Sequence, residues 1–434
     1  MLKTYNYNEL SLGDINQLIA RNTDPGNAIQ AVVEQVIDEV RNRGDESLKD
    51  YALKFDRVKL DKLYLDANEL AELVLSIGRE QQRALEIAFN NIYRFHQGQL
   101  RREKMVQTMP GVSCWRESRP IERVGLYIPG GSAVLPSTFL MLGIPARIAR
   151  CKEIVVCSPP QENGLINGFI AYCAHLLKIE RVYLVGGAQA VAAMAYGTES
   201  IPKVDKIFGP GNQYVTKAKS LIQSSTNTAI DMPAGPSEVL IIADESANPA
   251  FVAADLLAQA EHGPDSQAVL VSTSNALING VQEQLRGQLA QLPRAAIAAK
   301  AIANSYAILC VTLEEAITFS NVYAPEHLIL AVNEPATLTR KIINAGSVFL
   351  GHLTPESVGD YASGTNHTLP TSGYARSYSG VSVDSFIKKI TFQQLTAEGI
   401  QNIGSTVEIL AELEGLQGHK NAVTLRLSNI YRDH

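Results

Sequence analysis

The feature that most constrains the fold is a repeated unit of a short apolar run, a glycine or proline turn, and a helical segment. The first series of runs is "RVGLYIPGG", "EIVVCSPP", "RVYLVGGAQA" and "KIFGPGN", and the second is "EVLIIAD", "QAVLVST", "YAILCV", "HLILAV" and "SVFLG". Short strands that are apolar on both faces and alternate with helices form parallel sheets covered on both sides. The sequence therefore predicts an α/β fold with two parallel-sheet units. Ligand residues are expected at the carboxyl ends of the strands.

The length of 434 residues exceeds the size at which one hydrophobic core stops growing, so at least two domains are expected. Residues 27–98 show the apolar spacing of helices, with helix stops at Gly44 and Gly98. The final stretch, from about Ser385, is also predicted to be helical. Its apolar stripe is too modest for an independent domain, so we expect this tail to pack on another domain or another subunit.

Composition excludes several classes of function. The net charge of −6 provides no basic field for nucleic acid, and the short basic cluster "RREK" is interpreted as a solvated helix face. The N-terminus has no apolar signal region, and no segment reaches about 18 uninterrupted apolar residues. A cytoplasmic protein without membrane contact is therefore predicted. The five cysteines are scattered without a CxxC pair and are interpreted as reduced structural thiols.

The segment "ANPAFVAADLLAQAEHGPDS" carries polar groups on a predicted helix. Asn248 suits the helix start and Gly263 its end, which places Gln259 and His262 three residues apart on one face. Two such groups could reach one ligand or metal ion. The alternative is that His262 caps the negative end of the helix.

A long polar stretch, "HLTPESVGDYASGTNHTLPTSG", contains Asp360 and His367. Loops of this length in a compact domain are usually functional, although a lone aspartate more often forms a turn. Together with Gln259, His262 and a histidine of the tail segment "GLQGHKN", Asp360 would complete a nitrogen and oxygen ligand set suited to zinc. Glutamine is an uncommon zinc ligand, so the residues alone leave both interpretations open.

The stretch "VYAPEHLIL" sets a carboxylate, Glu326, directly beside an imidazole, His327. Pro325 suits the start of a helical turn, in which consecutive side chains diverge by about 100°. The two groups are then expected to approach a substrate from two sides rather than to pair with each other. The alternative is a helix start followed by a histidine with a purely structural role.

Three glycine-rich turns, "IPGGS", "VGGAQA" and "GPGN", each follow a predicted strand. They could let a pyrophosphate approach the backbone. None is a GxGxxG motif, and no acidic residue lies about twenty positions beyond a convincing one. Structural glycine turns are the simpler interpretation of these residues.

Taken in order, longer blocks resemble a known family. "GLYIPGGSA", "VGGAQA", "KIFGPGN", "DMPAGPSE", "QAEHGPDS", "PEHL", "AGSVFLG", "GDYASGTNHTLPT" and "HKNAVTLR" are similar to the signature blocks of the histidinol dehydrogenases and run from about residue 120 to residue 426. Before residue 100 the clearest similarity is "RGDESLKDYALKFD". The sequence departs from the pattern at Ala324, where glycine is also familiar, and follows it loosely over residues 374–390.

This resemblance implies an NAD-dependent enzyme with one zinc ion per subunit, which oxidises L-histidinol through L-histidinal to L-histidine in the last step of histidine biosynthesis. It also implies a homodimer of subunits with two Rossmann-like parallel-sheet domains that lack the GxGxxG fingerprint, and small N-terminal and C-terminal helical segments that swap between subunits. The implied divisions are an N-terminal segment 1–25, a discontinuous α/β domain of residues 26–129 and 238–380, a second Rossmann-like domain 130–237, and a C-terminal helical tail 381–434.

The resemblance also implies roles for individual residues. The zinc ligands would be Gln259, His262, Asp360 and His419, the last from the partner subunit. Glu326 and His327 would be catalytic, with His327 as general base and Glu326 activating water. Substrate would be contacted by Ser237, His367 and Glu414 in addition to the zinc ligands and the catalytic pair, and NAD by Tyr127, Gln189 and Asn212.

Two other classes of protein remain as alternatives. One is a zinc-dependent hydrolase on the same scaffold, in which Glu326 would act on metal-bound water. The other is a nucleotide-binding or scaffold protein without catalysis. Turnover without NAD would indicate the first, and tolerance of changes at Glu326 and His327 would indicate the second.

Overall fold

The structure is a computed structural model that describes residues 1–21, 26–130, 134–233 and 235–432. The chain forms two compact units. The first comprises Met1–Gln97 and Glu122–Phe386, and the second comprises Gly98–Ile121 and Ile387–His434. Within the described ranges, no helix combines the length and the apolar character that a membrane span requires.

The described strands, in chain order, are β1 Lys3–Asn6, β2 Tyr64–Leu65, β3 Val106–Met109, β4 Val112–Pro120, β5 Arg123–Tyr127, β6 Glu153–Ser158, β7 Val182–Leu184, β8 Lys206–Phe208, β9 Ala229–Ile230, β10 Glu238–Ala243, β11 Gln267–Ser272, β12 Tyr306–Leu309, β13 His327–Ala331, β14 Ser347–Leu350 and β15 Ile387–Leu395. The described α-helices are α1 Leu12–Ile19, α2 Gly26–Arg43, α3 Asp45–Tyr51, α4 Ala67–Val74, α5 Arg79–Gln97, α6 Pro136–Ala149, α7 Gly168–Leu176, α8 Gly187–Tyr196, α9 Gln213–Ser225, α10 Pro249–Ala260, α11 Asn275–Leu289, α12 Ala295–Ala303, α13 Leu313–Tyr323, α14 Pro335–Leu338, α15 Glu356–Tyr361, α16 Ala397–Leu413 and α17 Gln417–Arg432.

The first unit contains two six-stranded sheets. Sheet A has the order β1-β12-β11-β10-β13-β14, and every neighbouring pair is parallel. Sheet B has the order β2-β7-β6-β5-β8-β9 and is parallel except for the short pair β2–β7. In sheet A both faces of the central strands are buried, because Val239 and Ile241 of β10 face one hydrophobic cluster and Leu240 and Ile242 face another.

These sheets confirm the predicted α/β fold class with two parallel-sheet units. The predicted helix stops at Gly44 and Gly98 are confirmed as well, since α2 ends at Arg43 and α5 ends at Gln97. Strand pairing groups some segments differently from the predicted divisions: β2 and β5 belong to sheet B, and β1 belongs to sheet A. The domain boundaries as such stay a prediction, because sheet membership alone does not delimit a domain.

The second unit combines an antiparallel sheet, in the order β15-β4-β3, with helices α16 and α17. The prediction of helix from about Ser385 is wrong for β15, which forms a strand along the whole of β4. Its sequence "IKKITFQQL" becomes a strand because β4 supplies cross-strand partners from far away in the chain, including a stack of Trp115 on Phe392 with ring centroids 5.5 Å apart. Helices α16 and α17 expose Leu410, Leu413 and Leu425 in this unit.

Candidate active site

The amino edge of sheet A, where its strands begin, brings together most of the predicted site residues of the first unit. These are the residues that carry titratable or metal-binding groups. His327 is the first residue of β13 and pairs with Val239, the second residue of the neighbouring β10. Helix α10 follows β10 and runs back across the sheet, so that its last turn brings Gln259 to the same edge. His262 follows in the turn after the helix rather than on the predicted helix face, and its N–H donates to the Gln259 carbonyl at 3.3 Å. Asn248 caps this helix, as the sequence predicts, by accepting a hydrogen bond from the Ala250 N–H. The sequence predicts ligands at the carboxyl ends of the strands, whereas this group lies at the opposite edge, to which the returning helix brings Gln259 and the start of β13 brings His327.

The turn before His327 is not the helical turn that Pro325 predicts. Helix α13 ends at Tyr323, and β13 begins directly after Glu326. Ala324 ends the helix in the left-handed conformation, with φ of 55°, which explains why glycine also suits this position. The next strand segment contacts this turn closely, because the Gly346 N–H donates to the Pro325 carbonyl at 2.9 Å. A Cβ at Gly346 would lie only 2.5 Å from the Glu326 carbonyl oxygen. The backbone of the Pro-Glu-His segment is therefore tightly fixed.

The peptide groups of Glu238 hold the side chains of both candidate catalytic residues. The Glu238 N–H donates to Glu326 Oε2 at 3.0 Å, and His327 Nδ1 lies 3.2 Å from the Glu238 carbonyl oxygen. Because a carbonyl can only accept, this contact assigns the proton to Nδ1 and leaves Nε2 to bind or release a proton. Glu326 Oε2 is 3.6 Å from His327 Nδ1, so the two side chains do lie within ion-pair distance of each other, contrary to the prediction that they would not pair.

Two further carboxylates surround the His327 ring. Its Nδ1 lies 3.7 Å from Glu356 Oε1, and its Nε2 lies 3.4 Å from Asp360 Oδ1. His327 and Glu356 are buried, with 3% and 1% of their surface exposed. Among the described residues, neither His327 Nε2 nor Asp360 Oδ1 has a hydrogen-bond partner. Buried polar atoms without partners are rare in folded proteins, and here two of them face each other.

Glu356 is a candidate site residue that the sequence interpretation missed. It lies one helical turn before Asp360 on α15, and this i, i+4 spacing was the available signal. The side-chain amide of Gln259 is fully buried, and its hydrogen bonds determine its orientation. The nitrogen donates to Glu356, at 3.1 Å from Oε2, and the oxygen accepts from the Glu238 N–H at 3.0 Å. Gln259 thus connects α10 to both β10 and α15.

Two predicted substrate residues adjoin this group. His367 Nδ1 lies 2.8 Å from the Asp360 carbonyl oxygen, and its Nε2 lies 3.1 Å from the Thr138 hydroxyl. Ser237 directly precedes Glu238, and its carbonyl accepts from the Gln267 N–H at 3.1 Å. Both residues therefore lie beside the groups that the structure brings together.

The crowding of acids changes their protonation. Burial raises the pKa of Glu326 to about 8 and that of Glu356 to about 8, because a charge in this environment loses its hydration. Burial opposes the charged form of His327 too, but the carboxylates of Glu356, Glu326 and Asp360 outweigh this effect and raise its pKa well above the usual value. For Asp360, burial is likewise outweighed, and the His327 ring lowers its pKa.

The same group has the composition of a metal site. One ligand atom each of His262, Glu356 and Asp360 lies within 4.8 Å of the other two. An imidazole with carboxylate oxygens suits zinc and several other divalent cations. Asp360, a member of this set, also has the partnerless Oδ1, so the donor chemistry fits a bound cation. The predicted ligands Gln259, His262 and Asp360 lie together, with Glu356 as the additional carboxylate.

The predicted NAD residues lie at the carboxyl edge of sheet B. Tyr127 is the last residue of β5, Gln189 lies in the first turn of α8, and Asn212 is the N-cap of α9. The Gly187 N–H donates to the Tyr127 hydroxyl at 3.2 Å, which joins the first two elements. Of the three glycine turns, "VGGAQA" and "GPGN" are described here, whereas Gly131 and Ser132 of "IPGGS" lie outside the described residues.

The remaining predicted residues, Glu414 and His419, belong to the second unit. Glu414 is the C-cap of α16, His419 lies in the first turn of α17, and both are exposed. Their contribution to the group at sheet A stays a prediction.

A buried ion pair is formed at the amino edge of sheet A by Glu238, the first residue of β10, and the sequence interpretation missed it. Arg21 donates to both carboxylate oxygens of Glu238, at 2.9 and 3.2 Å, and its guanidinium carbon lies 3.6 Å from the centre of the Tyr323 ring. The signal for Glu238 was an acid at the start of an otherwise apolar strand run. Nothing in the sequence identifies Arg21 as its partner, because the two residues are 217 positions apart.

Comparisons with known proteins identify relatives of this chain. A family model described as histidinol dehydrogenase matches residues 19–427. The chloroplastic histidinol dehydrogenase of Arabidopsis thaliana is 52% identical over 431 residues, which cover 99% of this chain and 92% of that protein. The histidinol dehydrogenase of Bacteroides thetaiotaomicron is 54% identical over 398 residues, with 92% and 93% covered. A crystal structure of histidinol dehydrogenase from Elizabethkingia anophelis superimposes with a TM-score of 0.96 at 52% identity and covers 99% of both chains.

Proposed function

Because the chain belongs to the histidinol dehydrogenase family, we propose that it oxidises L-histidinol through L-histidinal to L-histidine, with two molecules of NAD as hydride acceptors. Family membership makes the chain an oxidoreductase of histidine biosynthesis and confirms the resemblance found in the sequence. The hydrolase and scaffold alternatives therefore have no support.

The observation that carries the proposal is the buried imidazole of His327. Its Nδ1 is tied to the Glu238 carbonyl, and its Nε2 has no hydrogen-bond partner among the described residues. In its neutral form, after release of the proton that the neighbouring carboxylates stabilise, a ring fixed in this way can accept the proton of a substrate hydroxyl at Nε2 while hydride leaves the carbinol carbon. His327 would serve both half-reactions, since each hydride transfer is accompanied by loss of a proton.

Zinc would be held by Gln259, His262 and Asp360 of one subunit and by His419 of the partner. When bound, the ion would supply positive charge that orients the imidazole and amine nitrogens of the substrate. The close grouping of His262 and Asp360 supports this assignment, as does the partnerless Asp360 Oδ1. Glu356 would orient the Gln259 amide through the hydrogen bonds that it accepts.

Glu326 would activate the water that adds to L-histidinal before the second hydride transfer. Its carboxylate is held by the Glu238 N–H at 3.0 Å and lies beside His327. Burial raises the pKa of this group to about 8, so that its ionised form is a stronger base than an ordinary carboxylate. The hydrate would then lose its proton to His327 and its hydride to the second NAD.

NAD would bind at the carboxyl edge of sheet B, in contact with Tyr127, Gln189 and Asn212. Helices α8 and α9 both begin at this edge, and helix N-termini attract the negative charge of a pyrophosphate. The bound nicotinamide would accept the hydride in each half-reaction.

Ser237, His367 and Glu414 would select the substrate. Losing a hydrogen bond to a charged acceptor typically costs about 1.5–3 kcal/mol, so Glu414→Gln should mainly weaken the apparent affinity for L-histidinol.

A homodimer is required by this proposal, because Glu414 and His419 would reach the site of the other subunit.

The shared site can be tested by mixing two inactive proteins. His262→Asn and His419→Asn subunits would form heterodimers in which both lesions lie in one site, which leaves the other site intact. Recovered activity after chain exchange supports sites built from two chains. Complete exchange without recovery, verified by mass spectrometry of the mixed dimers, would rule them out.

The activity itself is tested by mixing the zinc-loaded protein with NAD and L-histidinol and following the absorbance of NADH. Two molecules of NADH should form for each L-histidine produced, with L-histidinal giving one. No NADH formation from a folded, zinc-loaded protein would refute the proposal.

A further inference from the structure

The turn that follows β8 at the carboxyl edge of sheet B has an unusual backbone. Gly209 has φ of 133°, a conformation that side-chain-bearing residues rarely adopt. A Cβ at this position would collide with the carbonyl oxygen of Tyr127. The turn therefore rests directly on the backbone of β5, and its position depends on what holds Gly209.

One buried ion pair holds both polar backbone groups of Gly209. Its N–H donates to Asp231 Oδ2 at 2.9 Å, and its carbonyl accepts from Lys219 Nζ at 3.0 Å. Lys219 and Asp231 also pair with each other, and their side chains are 4% and 1% exposed. Asp231 Oδ1 accepts in addition from the Met232 N–H at 2.7 Å.

The pair connects three elements at one point. Lys219 extends from the middle of α9, Asp231 follows the end of β9, and Gly209 follows the end of β8. Asn212, three residues beyond Gly209, caps α9 by accepting from the Tyr214 and Val215 N–H groups at 3.1 and 3.2 Å. The ion pair thus holds the first residue of the turn, and the Asn212 cap joins its last residue to the N-terminus of α9.

A neutral side chain or a water molecule could satisfy the backbone groups of a turn at a smaller cost in desolvation. Burying two charges is expensive, and such pairs often contribute little net stability compared with apolar residues. A charged pair at this turn therefore suggests that geometry rather than stability is the benefit.

We propose that Lys219 and Asp231 are positioning residues for the dinucleotide. They hold the turn 209–212 and the start of α9 in the shape that binds NAD before the cofactor arrives. Pre-organisation of this kind increases affinity, because less conformational freedom is lost on binding. This inference rests on the proposed binding of NAD at sheet B.

The test uses a double variant, Lys219→Met with Asp231→Asn, in the full-length zinc-loaded protein. The double change avoids an unpaired buried charge and keeps an acceptor near the Gly209 N–H, but it removes the donor to the Gly209 carbonyl. Lys206→Met is the matched control: this lysine lies on β8 and also interacts with the charge of Asp231, but it donates to the Ser385 carbonyl at 3.0 Å rather than to Gly209. NADH fluorescence titration, zinc titration and thermal unfolding are measured for each protein.

The double variant is expected to bind NADH about tenfold more weakly, the middle of the range for coupled neighbouring groups. Its zinc affinity should stay within about twofold of the unsubstituted protein, which a general loss of structure would not allow. Hydrogen exchange should accelerate in the peptide that contains Gly209 and not in β10 or β13. The Lys206→Met control should retain its NADH affinity.

A folded double variant that binds NADH as tightly as the unsubstituted protein would overturn the inference. If the double variant does not fold, the single variant Asp231→Glu replaces it, because it keeps the buried charge pair but displaces the acceptor of the Gly209 N–H. Its expected loss of NADH affinity is about threefold, and unchanged affinity would again overturn the inference. Absence of NADH binding by the unsubstituted protein would instead refute the proposed function, so the two failures are distinguishable.

Discussion

Charged and imidazole side chains are concentrated at the amino edge of sheet A, whereas glycine turns and helix N-termini are found at the carboxyl edge of sheet B. Helix α10 ends near the first edge, and α8 and α9 begin at the second. The C-terminal end of a helix carries partial negative charge and its N-terminal end partial positive charge. Parallel sheets therefore offer two kinds of site: the amino edge suits a cation with its ligands, and the carboxyl edge suits a phosphate.

The two edges also share a structural device. At each edge a glycine allows close backbone contact, Gly346 below Glu326 in sheet A and Gly209 against Tyr127 in sheet B. Each edge also contains a buried ion pair, Arg21–Glu238 in sheet A and Lys219–Asp231 at sheet B, and the second pair hydrogen-bonds its glycine directly. The comparison suggests that rigid backbone at both edges precedes ligand binding, with different chemistry placed on it.

The largest expected effect is complete loss of activity through a change at sheet A while NADH binding at sheet B is kept. Exhaustive chelation, or the substitution His262→Asn, should abolish NADH formation, because both remove the cation that is proposed to orient the substrate. NADH binding at sheet B should remain within about twofold, since this edge contains none of the proposed ligands. Activity assays and NADH fluorescence titration on the same sample provide the measurement. Parallel loss of both properties would contradict the independence of the two edges.

A second prediction concerns the neighbouring acid and base at sheet A. His327→Asn should slow the oxidation of both L-histidinol and L-histidinal by roughly 10²- to 10⁴-fold, the usual scale for loss of a general base. Single-turnover measurements with each substrate show whether both half-reactions are affected. A large effect on only one of them would remove His327 from its proposed role.

Glu326→Gln provides the matched comparison. It preserves the shape of the side chain and should retain much of the L-histidinol oxidation while slowing the conversion of supplied L-histidinal, because the water-activating carboxylate is missing. Equal slowing of the two half-reactions would show that the proposed division of roles between the adjacent residues is wrong.

The third prediction uses the titration of the buried acids in the metal-free protein. Burial raises the pKa of Glu326 and of Glu356 from 4.5 to about 8, so the folded protein keeps protons that the unfolded chain has released. The stability linked to these groups is fully present below about pH 4.5 and is lost as the pH rises through about 8. The raised pKa of His327 acts in the same sense, whereas the lowered pKa of Asp360 acts only as the pH falls below its ordinary value of 3.8.

We therefore expect the unfolding temperature of the metal-free protein to fall between about pH 4.5 and pH 8. Added zinc should reverse most of this fall at the upper end, because the cation stabilises the ionised carboxylates. The double variant Glu326→Gln with Glu356→Gln should flatten the profile, while Asp231→Asn at the other edge should not. A profile that rises over this range would show that the acids are ionised in the metal-free fold.

The smallest expected effect is at the carboxyl edge of sheet B. Asn212→Ala removes both the cap of α9 and the proposed contact with NAD, and loss of a cap costs about 1 kcal/mol of stability. Asn212→Ser keeps a capping side chain and should lower NADH affinity by a few-fold without the loss of stability. Thermal unfolding together with NADH titration separates the two roles, and unchanged affinity in both variants would exclude contact with the cofactor.

The sequence by itself determined the class of fold and pointed to most of the candidate site residues. Apolar runs followed by glycine turns specify buried parallel strands because both signals are local and strong. The start of α10 was predictable for the same reason, since the adjacent Asn248 and Pro249 both favour a helix start. Long ordered motifs then carried the family resemblance, which spacing alone could not provide.

Tertiary structure alone decided which edge of each sheet the groups occupy and what surrounds them. The contact between the Glu238 N–H and Glu326 joins residues 88 positions apart, and Arg21 reaches Glu238 across 217 positions. Strand β15 became a strand only because β4 offered hydrogen bonds along its whole length. Periodicity reports which face of an element is buried, but the direction in which a helix returns and the partners it meets depend on packing between distant segments. For that reason Glu356 became recognisable as part of the site only once α15 was placed beside His327.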